Sequence, residues 1–205
     1  MKNNKQKIIV VDDEAFNILA IKGMMRVLGM TDIDERVDEC YNGLQCVKLM
    51  ENTMKEQRMD KYSLILTDCK MPIMDGYESS SRIRKIIEES SRNQQKQQNQ
   101  ARNEDDEYQI QTEREIFTQY EDINPVVSRQ DLSSAADDMN HSSKKRLKII
   151  AITGHVEPEY MIKAMKSGID QVFPKPMPIL QLGKILFDHN FIAEIPENVL
   201  VNKDQ

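Results

Sequence analysis

Short apolar runs alternate along the chain with longer stretches in which apolar residues recur every three or four positions. "KIIVV" (7–11), "SLILT" (63–67) and "LKIIAIT" (147–153) read as strands buried on both faces, because they are apolar almost without interruption and rich in β-branched residues. A weaker strand is expected near 36–40 and a short one at "QVF" (171–173). Between them, Phe16, Leu19, Ile21, Met24 and Leu28 mark a helix that Gly29 can close, and Leu44, Val47 and Met50 mark a second after Asn42-Gly43. Ile83, Ile86 and Ile87 fall on one side of a helix over 77–90; further helices are expected over 158–167, closed by Gly168, and over 177–189. Five strands alternating with five helices imply an α/β fold. Its sheet is parallel with helices on both faces, since parallel neighbours need crossover connections.

That rhythm breaks between the helix over 77–90 and the strand over 147–153. "RNQQKQQNQARNEDDE" is Gln/Asn-rich and charged, with too little apolar surface to offset the entropy of ordering it. A short helix could form around "REIFTQYEDI" (114–123), after which polar sequence resumes. Residues 92–146 are therefore expected to be a disordered, low-complexity insertion in a domain spanning 7–190, with 191–205 as a tail.

Composition changes this picture little. The formal net charge of −6 argues against nucleic acid or an anionic membrane as the main partner. Cys40, Cys46 and Cys69 are odd in number and follow no zinc spacing, which suits reduced thiols in an intracellular protein. The opening "MKNNKQKIIVVDDE" has neither the apolar length of a membrane span nor that of a signal peptide, so a soluble cytoplasmic protein is expected.

Candidate chemistry lies where the strands end. Asp12 and Asp13 follow the first strand, Asp68 the third, Thr153 closes the fourth and Lys175 comes just after the fifth. In an open α/β sheet the carboxyl ends of the strands share one rim, where ligands bind. Any one of these aspartates could be a helix cap; five polar residues at one rim exceed what capping needs. Three crowded carboxylates call for a cation, and an all-oxygen set suits Mg2+. A carboxylate held there can accept a phosphoryl group as an aspartyl phosphate, with Lys175 and the Thr153 hydroxyl stabilising its oxygens.

Four segments, "VVDDEAFN", "LILTDCKMPIMDGYE", "IIAITGH" and "GIDQVFPKP", resemble in order the receiver domains of two-component response regulators and hybrid histidine kinases. The resemblance implies a flavodoxin-like, doubly wound five-stranded sheet of order 2-1-3-4-5; that order is a known property of the family and not an independent inference from the strand pattern. It also implies that Asp68 is the phosphoacceptor, supplied by the phosphohistidine of a histidine kinase or histidine phosphotransfer protein. Asp13, Asp68 and the backbone carbonyl of Lys70 would hold Mg2+, with Asp12 behind them or bound through a water. Lys175 would pair with the acceptor, Thr153 would be the switch hydroxyl, and the Lys175–Pro176 bond would be cis. Phosphorylation would switch the face made by the helix over 158–167 and the strand over 171–173. Such a module is no enzyme beyond taking phosphate from a donor and slowly losing it.

The family often carries Tyr or Phe where this chain has Val172, and Phe173 should face the other way because strand side chains alternate. His155 reads as an exposed loop histidine near the pocket mouth. Two alternatives compete: a Mg2+-dependent phosphohydrolase acting through an aspartyl phosphate, and a receiver-like interaction module without phosphotransfer. The first lacks an acidic residue two positions after the acceptor, where Lys70 stands, and the second is hard to reconcile with an intact set of five site residues.

Overall fold

The structure, a computed structural model, describes residues 6–93, 146–155 and 157–200. The chain divides into two compact units, residues 1–88 with 144–205 and residues 89–143. Of the second, only the helical stretch 89–93 is described. The insertion expected at 92–146, apart from 92, 93 and 146, and the helix considered at 114–123 lie outside the described residues.

Elements follow in the order β1 (Lys7–Val11), α1 (Ala15–Val27), α2 (Ile33–Arg36), β2 (Val37–Cys40), α3 (Gly43–Lys55), β3 (Tyr62–Thr67) and α4 (76–93). After the insertion come β4 (Lys148–Thr153), α5 (Pro158–Lys166), β5 (Gln171–Pro174), α6 (Ile179–Asp188) and α7 (Glu197–Leu200). All strand pairs are parallel and the order is β2-β1-β3-β4-β5, as expected. The central strand β3 is buried along its whole length, which is why it reads as an unbroken apolar run.

Period-two alternation sorts the strand residues onto two cores. Ile8, Val10, Leu64, Leu66, Ile150, Ile152 and Phe173 pack with Ile18 and Met25 of α1 and with Leu182 and Leu186 of α6. Ile9, Val11, Ile65, Ile149, Ala151 and Val172 pack on the opposite face with Val47 and Met50 of α3, Ile83 of α4 and Ala164 of α5. Val172 and Phe173 therefore face opposite ways, as alternation requires.

The apolar stripe expected on α1 needs correction. Phe16 and Leu19 are 76% and 59% exposed, and the buried face is Ile18, Ile21, Lys22 and Met25. "AFNILAIKGMM" is apolar on nearly every side, so spacing alone cannot choose a face. Lys22 is accommodated there because its stem lies along the core while its ammonium reaches Glu39 Oε1 at 2.7 Å. The single turn α2, just before β2, was not anticipated. Gly29 and Gly168 close α1 and α5 in the left-handed conformation, with φ of 88° and 84°.

A second ion pair fixes the rim opposite the carboxyl ends. Arg84 of α4 donates from Nε to Gly168 O (2.8 Å), from Nη1 to Leu147 O (2.9 Å) and from Nη2 to Asp170 Oδ2 (2.5 Å). Asp170 Oδ2 also accepts the Ile149 amide at 2.8 Å. Burial pulls the Arg84 guanidinium below its ordinary range, and Asp170 works against that pull. The chain beyond α6 also joins the core: Phe191 and Val199 are buried, and the Arg36 guanidinium lies 4.5 Å from the centre of the Phe191 ring. No helix among the described residues is long and apolar enough to cross a membrane.

Candidate functional site

Ladder hydrogen bonds continue one step past the strands and set the first carboxylates. The Asp12 amide donates to Cys40 O (3.1 Å) and the Asp68 amide to Val11 O (2.8 Å). Asp12 and Asp68 are thereby carried on the ends of β1 and β3 like continuations of the sheet. Beyond Asp68 the chain must turn back at once to enter α4. The Gly76 amide donates to Cys69 O at 3.1 Å, and a Cβ at Gly76 would lie 2.1 Å from Asp68 O, so no other residue fits there. The Met74 carbonyl accepts the Gly43 amide at 3.0 Å, tying this turn to the start of α3. Ile73, a β-branched residue at φ 72°, bears the tightness of the turn as local strain. Asp75 Oδ1 accepts the Glu78 amide at 2.7 Å and caps α4.

The result is a compact charged cluster. One carboxylate oxygen from each of Asp12, Asp13 and Asp68 lies within 4.8 Å of the others. Lys175 Nζ donates to Asp12 Oδ2 at 2.7 Å and to Asp68 Oδ2 at 2.8 Å. Asp12 is buried, and its Oδ1 accepts the Glu14 amide (3.0 Å) and Asn17 Nδ2 (2.9 Å). Asp68 Oδ1 accepts the Cys69 amide at 2.6 Å and the Lys70 amide, more loosely, at 3.4 Å. Asp13 is exposed and has no ion-pair partner among the described residues.

Burial opposes the charge on Lys175, yet its hydrogen bonds to Asp12 and Asp68 outweigh that penalty, and its pKa is held above the ordinary lysine value. One ammonium faces three carboxylates. The donor set is oxygen only and under-compensated in charge, which fits a hard divalent cation such as Mg2+.

Thr153 and Lys70 frame the mouth. Thr153 is buried, its carbonyl accepts the Lys175 amide at 2.9 Å, and its hydroxyl accepts the His155 amide at 3.3 Å. The Lys175–Pro176 bond is cis. Gly154, beside Thr153, has open space where a Cβ would project. His155 departs from expectation. It is half-buried, and its Nε2 accepts from Lys70 Nζ at 2.8 Å, since an ammonium has no lone pair to offer. The His155 ring also meets Tyr160 of α5 edge-on with centroids 5.1 Å apart, and Lys70 Nζ lies 5.3 Å from the centre of the Tyr160 ring. Lys70, His155 and Tyr160 thus join the loop after β3 to the loop after β4.

All five residues singled out at the strand ends fall on this one rim. Asn17, Cys69 and Tyr160 are additions that only the structure supplies. Asn17 had a usable signal, because a residue five after Asp12 in the first turn of α1 can reach back to cap it. Cys69 and Tyr160 had none short of the fold.

Residues 8–93 match the family model described as the response regulator receiver domain. Over 87 residues the chain is 31% identical to the histidine kinase CKI1 of Arabidopsis thaliana, covering 40% of this chain and 7% of that protein. Over 78 residues it is 32% identical to the two-component response regulator ORR41 of Oryza sativa subsp. japonica, covering 38% of this chain and 55% of that one. A match to the probable histidine kinase 1 of Oryza sativa subsp. indica extends over 90% of this chain at 27% identity but only 15% of the kinase. The chain therefore spans a small part of the kinases it matches. Among solved structures, the receiver domain of CKI1 complexed with Mg2+ and BeF3− superposes with a TM-score of 0.53 at 20% identity, covering 90% of this chain and 89% of that one. A CheY-like response regulator receiver domain from Methanospirillum hungatei gives 0.51 at 15% identity, covering 90% and 92%.

Proposed function

This chain carries a response regulator receiver domain, and from that premise we propose that Asp68 accepts a phosphoryl group from a partner's phosphohistidine. The observation that supports this is the pairing of one ammonium, Lys175, with two carboxylates, beside a third carboxylate left uncompensated. In the transfer, an Asp68 carboxylate oxygen forms the new bond to phosphorus while the bond from phosphorus to the donor's imidazole nitrogen breaks. The imidazole leaves with its electron pair and takes up a proton.

Lys175 is already hydrogen-bonded to Asp68 and can follow the charge onto the phosphoryl oxygens without a large movement. The Thr153 hydroxyl, the last polar group of β4, is the donor for another of those oxygens. Asp13, Asp68 and the Lys70 carbonyl would hold Mg2+, and Asp12, whose oxygens are engaged by Lys175, Asn17 and the Glu14 amide, would stand behind them. Bound there, Mg2+ supplies positive charge against the phosphoryl oxygens during transfer. The partner is a histidine kinase or a histidine phosphotransfer protein. The module is not an enzyme in its own right, and the domain responsible is taken as 7–190, interrupted by 92–146, with Phe191 and Val199 of the expected tail packed into the same core. Three buried free thiols suit the reducing interior of a cell, where such partners operate.

The test is phosphate uptake from a small phosphodonor with Mg2+, read as an acid-stable, base-labile label. Wild type is expected to label and Asp68→Asn to lose the label completely. Equal labelling of the two would sink the assignment.

A further inference from the structure

Lys70 makes an unexpected choice of partner. It is exposed and stands two residues after Asp68, beside a cluster of three carboxylates whose one ammonium, Lys175, is already shared between two of them. A lysine on a flexible four-carbon stem would ordinarily turn its charge toward such a cluster. Yet Lys70 forms no ion pair with a carboxylate among the described residues. Its Nζ donates instead to His155 Nε2 at 2.8 Å and lies 5.3 Å from the centre of the Tyr160 ring.

Both partners are themselves held in place. The His155 amide donates to the Thr153 hydroxyl at 3.3 Å, which ties the loop carrying the imidazole to the end of β4. The imidazole meets Tyr160 edge-on, with centroids 5.1 Å apart. Tyr160, the third residue of α5, is half-buried against the core that contains Ala151 and Ala164. An imidazole nitrogen and an aromatic face can each hold an ammonium without bringing a negative charge of their own.

We propose that His155 and Tyr160 form a holder for the Lys70 ammonium, which keeps that charge out of the carboxylate cluster and leaves the cluster to a divalent cation. The inference rests on the cluster taking Mg2+. Released from the holder, the ammonium would pair with Asp13, the carboxylate that has no ion-pair partner among the described residues, and compete there with the metal. His155 is thus a positioning residue that acts on the metal through Lys70. The same lysine offers the metal its backbone carbonyl while its side-chain charge is held aside.

The experiment measures the Mg2+ affinity of the full chain from amide chemical shifts in NMR, at low ionic strength, where competition between charges is least screened. His155→Ala is expected to bind Mg2+ about two- to fivefold more weakly than wild type, the range set by an exposed ion pair. Tyr160→Leu, which removes the other part of the holder, should weaken binding in the same direction. His155→Gln, whose amide oxygen can accept from the ammonium, should recover most of the loss seen with alanine. Lys70→Met keeps the backbone carbonyl and removes the charge. It should improve Mg2+ binding more in the His155→Ala background than in wild type, because only there is the ammonium loose. An unchanged affinity in His155→Ala, or equal gains from Lys70→Met in the two backgrounds, would overturn the holder while leaving Mg2+ binding and phosphate uptake by Asp68 standing. A wild type that binds no Mg2+ would overturn the holder together with the reading of the cluster as a metal site.

Discussion

The two rims of this sheet each hold a partly buried ion pair, and they are built to opposite ends. Around Arg84, three of its donors find an acceptor, and the Asp170 carboxylate is further engaged by the Ile149 amide and, at 3.8 Å, by Lys148. Charge and hydrogen bonds close upon themselves. Around Asp68, one ammonium serves two carboxylates, and a third is exposed with no ion-pair partner among the described residues. The first arrangement holds the structure together; the second holds a deficit of positive charge among the described residues that a bound cation would fill. An ion pair that satisfies itself has no reason to bind anything, and that difference separates a structural cluster from a functional one.

The comparison breaks if the two clusters respond alike to substitution and to metal. Arg84→Met should cost the most, about 3–5 kcal/mol, because it strands a buried carboxylate and two carbonyls. Urea midpoints should show this loss equally with Mg2+ and with chelator. Lys175→Met should cost about 1.5–3 kcal/mol in chelator, the range for hydrogen bonds to charged groups, and Mg2+ should restore much of it. If Mg2+ rescued Arg84→Met or failed to rescue Lys175→Met, the distinction would collapse.

The same side chain gives a pH signature. The Lys175 pKa is raised on folding, so its contribution is fully present below the unfolded value near 10.5 and disappears as pH rises through the higher folded value. Wild type should therefore lose its advantage over Lys175→Met as pH rises through the alkaline range, as measured by unfolding at a series of alkaline pH values. The smallest effect belongs to Asp13→Asn. Relief of repulsion should raise stability in chelator by under about 1 kcal/mol, while the gain from Mg2+ vanishes. A loss of stability in chelator would show that Asp13 is part of the framework instead.

Much of this was legible in the sequence because the central strands are buried on both faces. Ile8 to Val11 and Leu64 to Leu66 have no solvent side to encode, so they read as apolar runs whatever surrounds them. Asp12, Asp13, Asp68, Thr153 and Lys175 were legible for the same reason: each is the first polar break after such a run, or lies just past one. The face of α1 was not, because apolar residues surround that helix and only the tertiary position of Glu39 explains why Lys22 lies inward and Leu19 outward. Arg84 and Asp170 were invisible as a pair, being 86 positions apart with the insertion between them.

Arg84 carries one more implication, for how such a chain can change over time. It fastens α4 directly to the start of β4 and to the turn before β5, so the domain does not depend on the segment between α4 and β4 to bring its two parts together. The entropy of closing a loop grows only with the logarithm of its length, about 0.6 kcal/mol for each doubling. Sequence can therefore be gained, lost or exchanged between α4 and β4 at little cost, including a reporter spliced in by design, while the rim that carries Asp68 keeps its geometry.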